Sequence, residues 1–176
     1  MAARTWVPLK DGRRAEIRPA VPADAEALVA YLNEVGRERV YLMTERFTLS
    51  PDEERALLRT YDGLAGLYLV AGIGGELVGG ATFRRGTQAK NAHTANVGVA
   101  LRAPVRGLGL GTALMQVGIG WARSVGIRKL TLGVFATNER ALRLYRRLGF
   151  AEEGRLRGQV VLDGTPVDEV LMALWI

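Results

Sequence analysis

The sequence contains no cysteine and a single histidine, His93, among its 176 residues. The absence of cysteine excludes a disulfide framework, a thiolate nucleophile and a cysteine-ligated zinc site. One histidine cannot form a histidine-pair metal site or serve a mechanism that needs two imidazoles. No apolar run approaches the roughly 18 residues of a membrane span, and the first ten residues lack the apolar core of a secretory signal. These absences predict a soluble cytoplasmic protein without a metal.

Lysine is scarce as well: three of the 24 basic residues are lysine, against 18 acidic residues and a net charge of +6. Such a basic balance is found in proteins that bind nucleic acids or anionic cofactors. No basic run exceeds two residues, and aromatic side chains do not alternate with arginine as a base-stacking platform requires. The composition therefore favours an arginine-rich surface, and no nucleic-acid partner is expected.

The length and the apolar share of 48% predict one globular domain that spans residues 1–176. Apolar periodicity and turn residues predict the element order β-α-α-β-β-β-α-β-α-β-β. The first predicted strand is Glu16–Arg18, and the last is Val167–Leu174. This order excludes a doubly wound βαβ series and indicates an α+β protein with a mixed sheet.

The most informative segment joins a predicted strand of about residues 90–101 to a helix that begins near residue 110. Its sequence, Arg106-Gly107-Leu108-Gly109-Leu110-Gly111, alternates glycine with other residues, and glycine lets a backbone wrap closely round a ligand. The free N–H groups of a helix start lie at the positive end of its dipole, so this turn suits a phosphate or pyrophosphate. No lysine precedes Thr112, which excludes a Walker A loop. Leu114 stands where a dinucleotide fingerprint needs a third small residue.

A later helix is predicted to be capped by Asn138 and ended by Gly149. Its apolar stripe consists of Ala141, Leu144, Tyr145 and Leu148. Three arginines share another face of this helix: Arg140, Arg143 and Arg147. That face is either the solvated side of the helix or a contact for an anionic ligand.

Together these features resemble the GCN5-related N-acetyltransferase (GNAT) family. The family signature Arg/Gln-x-x-Gly-x-Gly/Ala corresponds to Arg106–Gly111, and a second family motif corresponds to Asn138–Phe150. The segment Glu152–Met172 resembles the end of bacterial members that acetylate amino acids and other small amines. The resemblance covers essentially the whole chain. It implies a mixed, mostly antiparallel, twisted sheet of about seven strands, flanked by about four helices, with a splayed central strand pair.

The resemblance also implies acetyl-CoA as the cosubstrate. The amides of the glycine-rich turn would hold its pyrophosphate, and its pantetheine arm would pair with the strand that ends at Val99–Leu101. The residues thus implied to contact acetyl-CoA are Val99, Ala100, Leu101, Arg106, Gly107, Leu108, Gly109, Leu110, Gly111, Thr112 and Asn138. Gly98 is the position of a bulge that starts the splay, or of a close contact with a packed neighbour.

Two proton transfers are expected. The resemblance implies that Tyr145 is the general acid that protonates the leaving sulfur, since a phenol with a pKa near 10 suits a thiolate. The general base is open. Many relatives carry a glutamate on the strand before the turn, where this chain has Asn96–Val99. Others carry one five residues before the capping asparagine, where this chain has Gly133. The two candidates are Glu45 and His93, each of which also has a purely structural interpretation; a water chain is the third route.

The expected acceptor is the primary amine of a small molecule, either an amino acid or an amine-bearing toxin. A protein acceptor, such as a ribosomal protein, is the alternative within the class, and a catalytically silent CoA-binding module is the alternative outside it. Neither a membrane nor a nucleic acid is expected as a partner, and a homodimer is compatible with the resemblance.

Overall fold

The computed structural model describes residues 3–43 and 46–176. Within that part of the chain, eight strands form one sheet, and four α-helices flank it. The strands are β1 (Thr5–Pro8), β2 (Arg14–Pro19), β3 (Gly66–Ile73), β4 (Glu76–Arg85), β5 (Thr94–Leu101), β6 (Lys129–Phe135), β7 (Ala151–Leu162) and β8 (Thr165–Trp175). The helices are α1 (Ala25–Gly36), α2 (Pro51–Arg59), α3 (Leu110–Ser124) and α4 (Glu139–Arg147), and 3-10 turns at Pro22–Asp24 and Ala103–Val105 precede α1 and α3.

The strands follow the spatial order β1-β2-β3-β4-β5-β6-β8-β7. Every neighbouring pair is antiparallel except the central pair β5–β6, which is parallel. The predicted class, a mixed and mostly antiparallel sheet with four helices, is therefore confirmed. The prediction missed β1, because this edge strand is almost entirely exposed and lacks the alternation of buried and exposed side chains that identifies a strand.

The two faces of the sheet carry separate apolar cores. On one face, α3 and α4 pack against the largest core, which includes Phe83, Leu114 and Leu132. On the other face, α1 and α2 pack against Tyr68 and Val70 of β3. Because side chains alternate along a strand, neighbouring residues of each central strand belong to opposite layers.

The central strands β5 and β6 pair over only three residues, Thr94–Asn96 with Lys129–Thr131, and then part. This is the splayed pair that the resemblance implies. The parting begins before Gly98, and the register between β4 and β5 continues through Gly98 without a shift. A Cβ on Gly98 would lie 3.0 Å from the Thr82 Oγ1 atom. The glycine therefore accommodates a packed neighbour, and the bulge hypothesis is wrong.

None of the helices in the described ranges is long and apolar enough to cross a membrane.

Candidate active site

A cleft of about 540 Å³ opens where β5 and β6 part. Its walls come from the ends of β5 and β6, the turn into α3, one face of α4, the end of α1 with the segment that follows it, and single residues of β8 and of the turn between β1 and β2. The predicted strand–turn–helix and the predicted capped helix thus border the same cavity, although more than 25 residues separate the turn from the cap. A cavity of this size lies within the range of small-molecule sites.

The turn from Arg106 into α3 borders the cleft through Gly107, Gly109, Gly111 and Thr112. Gly107 and Gly109 have φ angles of +81° and +96°, a left-handed conformation that favours glycine. The N–H group of Arg106 donates to the carbonyl of Ala103. By contrast, the N–H groups of residues 107–112 have no acceptor within the described part of the chain. Six consecutive unpaired amides at a helix N-terminus are an arrangement that suits an anion.

The edge of β5 that faces the gap also carries free backbone groups. The N–H of Arg102 donates to Val78 on β4, which establishes that the even-numbered residues of β5 bond to β4. Val99 therefore directs its N–H and C=O into the gap. The neighbouring carbonyls are already used, since Ala100 accepts from the Tyr31 hydroxyl at 2.9 Å and Leu101 accepts from the Arg106 Nε atom at 2.8 Å.

Arg106, which is predicted to contact the cofactor, lines the cleft, but its guanidinium is engaged by other protein groups. Its guanidinium forms two hydrogen bonds with the Glu38 carboxylate, at 2.6 and 2.5 Å, and stacks on the Tyr41 ring at 4.4 Å from the centroid. These partners, together with Leu101, occupy the guanidinium and leave its side chain only 11% exposed. Arg106 therefore holds the segment after α1 against the glycine-rich turn and is not free to bind a phosphate.

Tyr145 lies on α4 at the opposite wall of the cleft. Its ring packs on Phe150, with 5.6 Å between the centroids, and 6% of the residue is exposed. Burial raises the pKa of the phenol to about 12, so the hydroxyl keeps its proton at neutral pH. That hydroxyl has no hydrogen-bond partner among the described residues. Asn138 caps α4 as predicted: its side-chain oxygen accepts from the N–H of Ala141 at 3.2 Å.

Only one of the two candidate bases, His93, belongs to the described residues, and it lies away from this cleft. Glu45 lies outside the described residues. His93 lies just before β5, at the end where β5 and β6 are still paired, and its ring stacks on Trp175. Its carbonyl accepts from the N–H of Arg128 at 2.8 Å. His93 does not line the cleft and is separated from Val99 by most of β5, so the structure favours a structural role for the histidine.

A carboxylate that sequence reasoning missed does line the cleft: Glu169 of β8. β8 is the neighbour of β6, and Glu169 pairs with Phe135 near the end of that strand. The sequence correctly predicted a strand here, but the chain order suggested only that the strand pairs with β7. No local signal indicates that β8 inserts beside β6, and so none indicates that its side chains reach the cleft.

Besides Arg106, four cationic side chains line the cleft among the described residues: Lys10, Arg140, Arg143 and Arg147. Arg143 pairs with Glu139 at 2.9 Å on the exposed surface of α4. The arginine face of α4 therefore faces the cavity rather than open solvent alone, which suits an anionic ligand.

Comparisons with known proteins agree with this geometry. Residues 37–150 match the sequence profile described as the acetyltransferase (GNAT) family. A Bacillus subtilis protein, YwnH, assigned as a phosphinothricin acetyltransferase, is 29% identical over 154 residues, which cover 86% of this chain and 93% of that protein. The Escherichia coli L-amino acid N-acetyltransferase AaaT is 30% identical over 109 residues, 60% of this chain and 65% of that enzyme.

A solved structure from Salmonella typhimurium has the same fold. It is described as an acetyltransferase with its cofactor acetyl-CoA, and it is 26% identical to this chain with a TM-score of 0.82. The match covers 90% of this chain and 92% of that one. The similarity therefore extends over most of the chain, well beyond the two motifs.

Proposed function

The chain belongs to the acetyltransferase (GNAT) family, and from that premise we propose that it acetylates the primary amine of a small molecule, an amino acid or an amine-bearing toxin. The protein is an N-acetyltransferase with acetyl-CoA as its cosubstrate. The proposal concerns the acceptor, the residues that bind and the residues that react. It also includes the single-domain organisation of residues 1–176, which the continuity of one sheet from β1 to β8 supports.

The residues of the cleft suit acetyl-CoA. The amides of residues 107–112 supply six donors for a pyrophosphate. The unpaired edge of β5 at Val99 supplies backbone groups for an extended amide-containing arm, as a missing strand would use them. The cations on α4 and Lys10 lie near the turn, where a further phosphate would be held.

Each side chain then has a defined task. Acetyl-CoA supplies the acetyl group as a thioester. The Val99 N–H points into the gap, where it polarises a carbonyl that lies along β5. Tyr145 donates the proton of its phenol to the departing sulfur; burial raises the pKa of this phenol to about 12, so the proton is in place when the thiolate forms. Asn138 holds the first turn of α4 and thereby positions Tyr145 two turns further on.

The observation that carries this proposal is the combination of six unpaired amides and an unpartnered phenol on the two sides of one strand gap. A small acceptor is supported by the volume of the cleft and by the relatives whose names refer to L-amino acids and phosphinothricin. The wall formed by Tyr41, Leu42 and Met43 limits the cavity on the acceptor side.

Release of the CoA thiol in the presence of candidate amines tests the proposal. The panel comprises phosphinothricin, the common L-amino acids and short peptides with a free N-terminus. The protein has no cysteine, so a thiol-reactive dye reports only CoA. We expect a free amino acid or phosphinothricin to have the highest kcat/KM. A peptide that exceeds its own free first residue by more than about tenfold would instead indicate a protein acceptor.

Binding of acetyl-CoA is measured separately, by thermal unfolding with acetyl-CoA, CoA, NADH and ATP. A ligand at about 100 times its Kd stabilises the fold by about 2.7 kcal/mol, a shift of roughly 5–10 °C for a domain of this size. We expect the shift with the two CoA compounds only. A shift with none of the four would contradict the role of the glycine-rich turn.

A further inference from the structure

The general base is the function that the cleft leaves unassigned, and Glu169 is the one carboxylate among the described residues that line the cleft. The other side chains with charge there are cations. A primary amine reaches an enzyme at neutral pH mainly as an ammonium ion, which must lose a proton before it attacks a carbonyl. A cleft with only cations beside the reacting atoms would repel that ion.

Glu169 projects from the opposite face of the sheet to Tyr145. Its neighbour Val170 and the β6 residue Leu132 belong to the core that Tyr145 joins. Side chains alternate along a strand, so Glu169 and its partner Phe135 point to the other layer, where α1 packs. The carboxylate and the phenol thus approach the strand gap from its two sides.

Gly133 of β6 creates the space that the carboxylate occupies. A Cβ built on Gly133 would collide with the Glu169 carboxylate. Gly133 lies beyond the last paired residue of β6, Thr131, and therefore at the open part of the gap. Its φ angle is not in the left-handed region, so the backbone there does not itself require glycine. The glycine therefore allows the carboxylate of a neighbouring strand to lie against the edge of the gap.

Glu169 is also free to bind. Among the described residues its carboxylate takes part in no ion pair and no hydrogen bond. The adjacent acid is committed: Asp168 accepts from the N–H of Gly158 at 2.9 Å and pairs with Arg155. The Glu169 carboxylate is thus unpaired in a cleft whose other charged side chains are cations, as expected of a group that binds a ligand.

We infer that Glu169 binds the ammonium group of the acceptor and acts as the general base of the transfer, an inference that rests on the proposed function. The carboxylate takes one proton from R–NH3+ and becomes a carboxylic acid, which later returns the proton to water. The nitrogen lone pair forms the new N–C bond, and the C–S bond breaks with its electron pair on sulfur. Tyr145 gives its proton to that sulfur and regains one from the acylated nitrogen, so the products are the amide, the CoA thiol and one released proton.

Substitution Glu169→Gln tests the role with little change of shape. At about pH 7 we expect kcat/KM for the best amine of the panel to fall about 100-fold, within the usual range for a lost general base. Thermal stability and the Kd of acetyl-CoA should stay at the wild-type values. The matched control is Glu152→Gln on β7, an exposed glutamate of the same hairpin that pairs with Arg155 outside the cleft. We expect this control to retain wild-type turnover.

The substitution Gly133→Ala tests the placement of the carboxylate without removing it. The added methyl group displaces Glu169, so kcat/KM should fall toward the value of Glu169→Ala. In the double variant with Gly133→Ala and Glu169→Ala the collision is relieved, so Gly133→Ala should lower kcat/KM little below the value of Glu169→Ala alone. If the two losses instead multiply, Gly133 acts independently of Glu169, and the inferred position of the carboxylate is wrong.

Raising the pH separates a base from a merely structural carboxylate. Below the pKa of the amine, the free-amine fraction grows about tenfold per pH unit. The deficit of Glu169→Gln relative to wild type should therefore shrink as the pH approaches the pKa of the amine. The other titratable side chains that border the cleft are common to both proteins: Lys10, Tyr41, Arg106, Arg140, Arg143, Tyr145 and Arg147.

The outcomes distinguish this inference from the proposed function. If none of the amines in the panel makes the wild-type protein release CoA, the proposed function fails before Glu169 is tested. If wild type turns over and Glu169→Gln matches it, the inference alone is overturned. If Glu169→Gln is impaired by a factor that does not change with pH, the carboxylate is not the base.

Discussion

The two sides of the cleft are held in different ways. On the side of α3 and α4, the groups that we propose to bind and react are backbone amides and a phenol, and they are positioned by a helix start, a helix cap and a buried aromatic pair. On the side of α1, the wall is a segment without regular structure, which is tied to the turn by the ion pair between Arg106 and Glu38. Under the proposed function, binding of the cosubstrate and choice of the acceptor therefore depend on separate contacts, which can be altered one at a time.

The largest effect is expected from Tyr145→Phe, which alters the α4 side only. Loss of the proton donor should lower kcat about 100-fold, whereas the Kd of acetyl-CoA should remain unchanged because the amides are untouched. Single-turnover kinetics with saturating acetyl-CoA measure the first value and thermal shifts the second. An unchanged kcat would remove Tyr145 from the mechanism and leave it a core residue of α4.

The substitution Arg106→Ala should loosen the α1 side. It removes the two bonds to Glu38 and the bond to the Leu101 carbonyl, and it leaves Glu38 unpaired, at a cost of about 2 kcal/mol or roughly 4–8 °C in Tm. We expect the KM of the amine to rise more than the Kd of acetyl-CoA, because the turn amides do not depend on the guanidinium. Arg13→Ala is the control, since that arginine forms only exposed contacts. A Kd that weakens more than the KM would show that Arg106 serves the cofactor after all.

The smallest of the three effects is expected from Gly109→Ala. Nothing lies within 4 Å of a Cβ at this position, so the penalty comes only from the φ angle of +96°. A left-handed non-glycine residue costs about 1–2 kcal/mol, and we expect acetyl-CoA to bind about tenfold more weakly, with kcat retained at saturation. Gly120→Ala, on α3 and with equally open space but an ordinary φ, is the matched control. Equal affinities for the two variants would contradict the role of the turn conformation.

Much of the cofactor side was predictable because it is local in the chain. The alternating glycines, the helix start and the Asn138 cap lie within short segments whose chemistry is decided by their own residues. The prediction of a parted strand pair came from the resemblance, and the pairing of β5 with β6 over three residues confirms it. The roles of Tyr145 and of the turn amides, the homodimer and the cytoplasmic location stay predictions.

The acceptor side was less predictable because distant segments assemble it. Arg106 belongs to the recognised motif, but its partner Glu38 is 68 residues away, and nothing in the motif indicates that the pair forms. His93 carries a side chain suited to catalysis, but the start of β5 places it against Trp175.

The sequence by itself determined the class of fold, the glycine-rich turn at a helix start, the capped helix with Tyr145 and the family. These features follow from periodicity, glycine conformation and capping, which act over a few residues. Only the tertiary structure decided that β8 inserts beside β6 and that the Glu169 carboxylate lies against Gly133. Strand pairing depends on which edges meet after the helices have packed, and this choice is made by contacts between residues far apart in the chain.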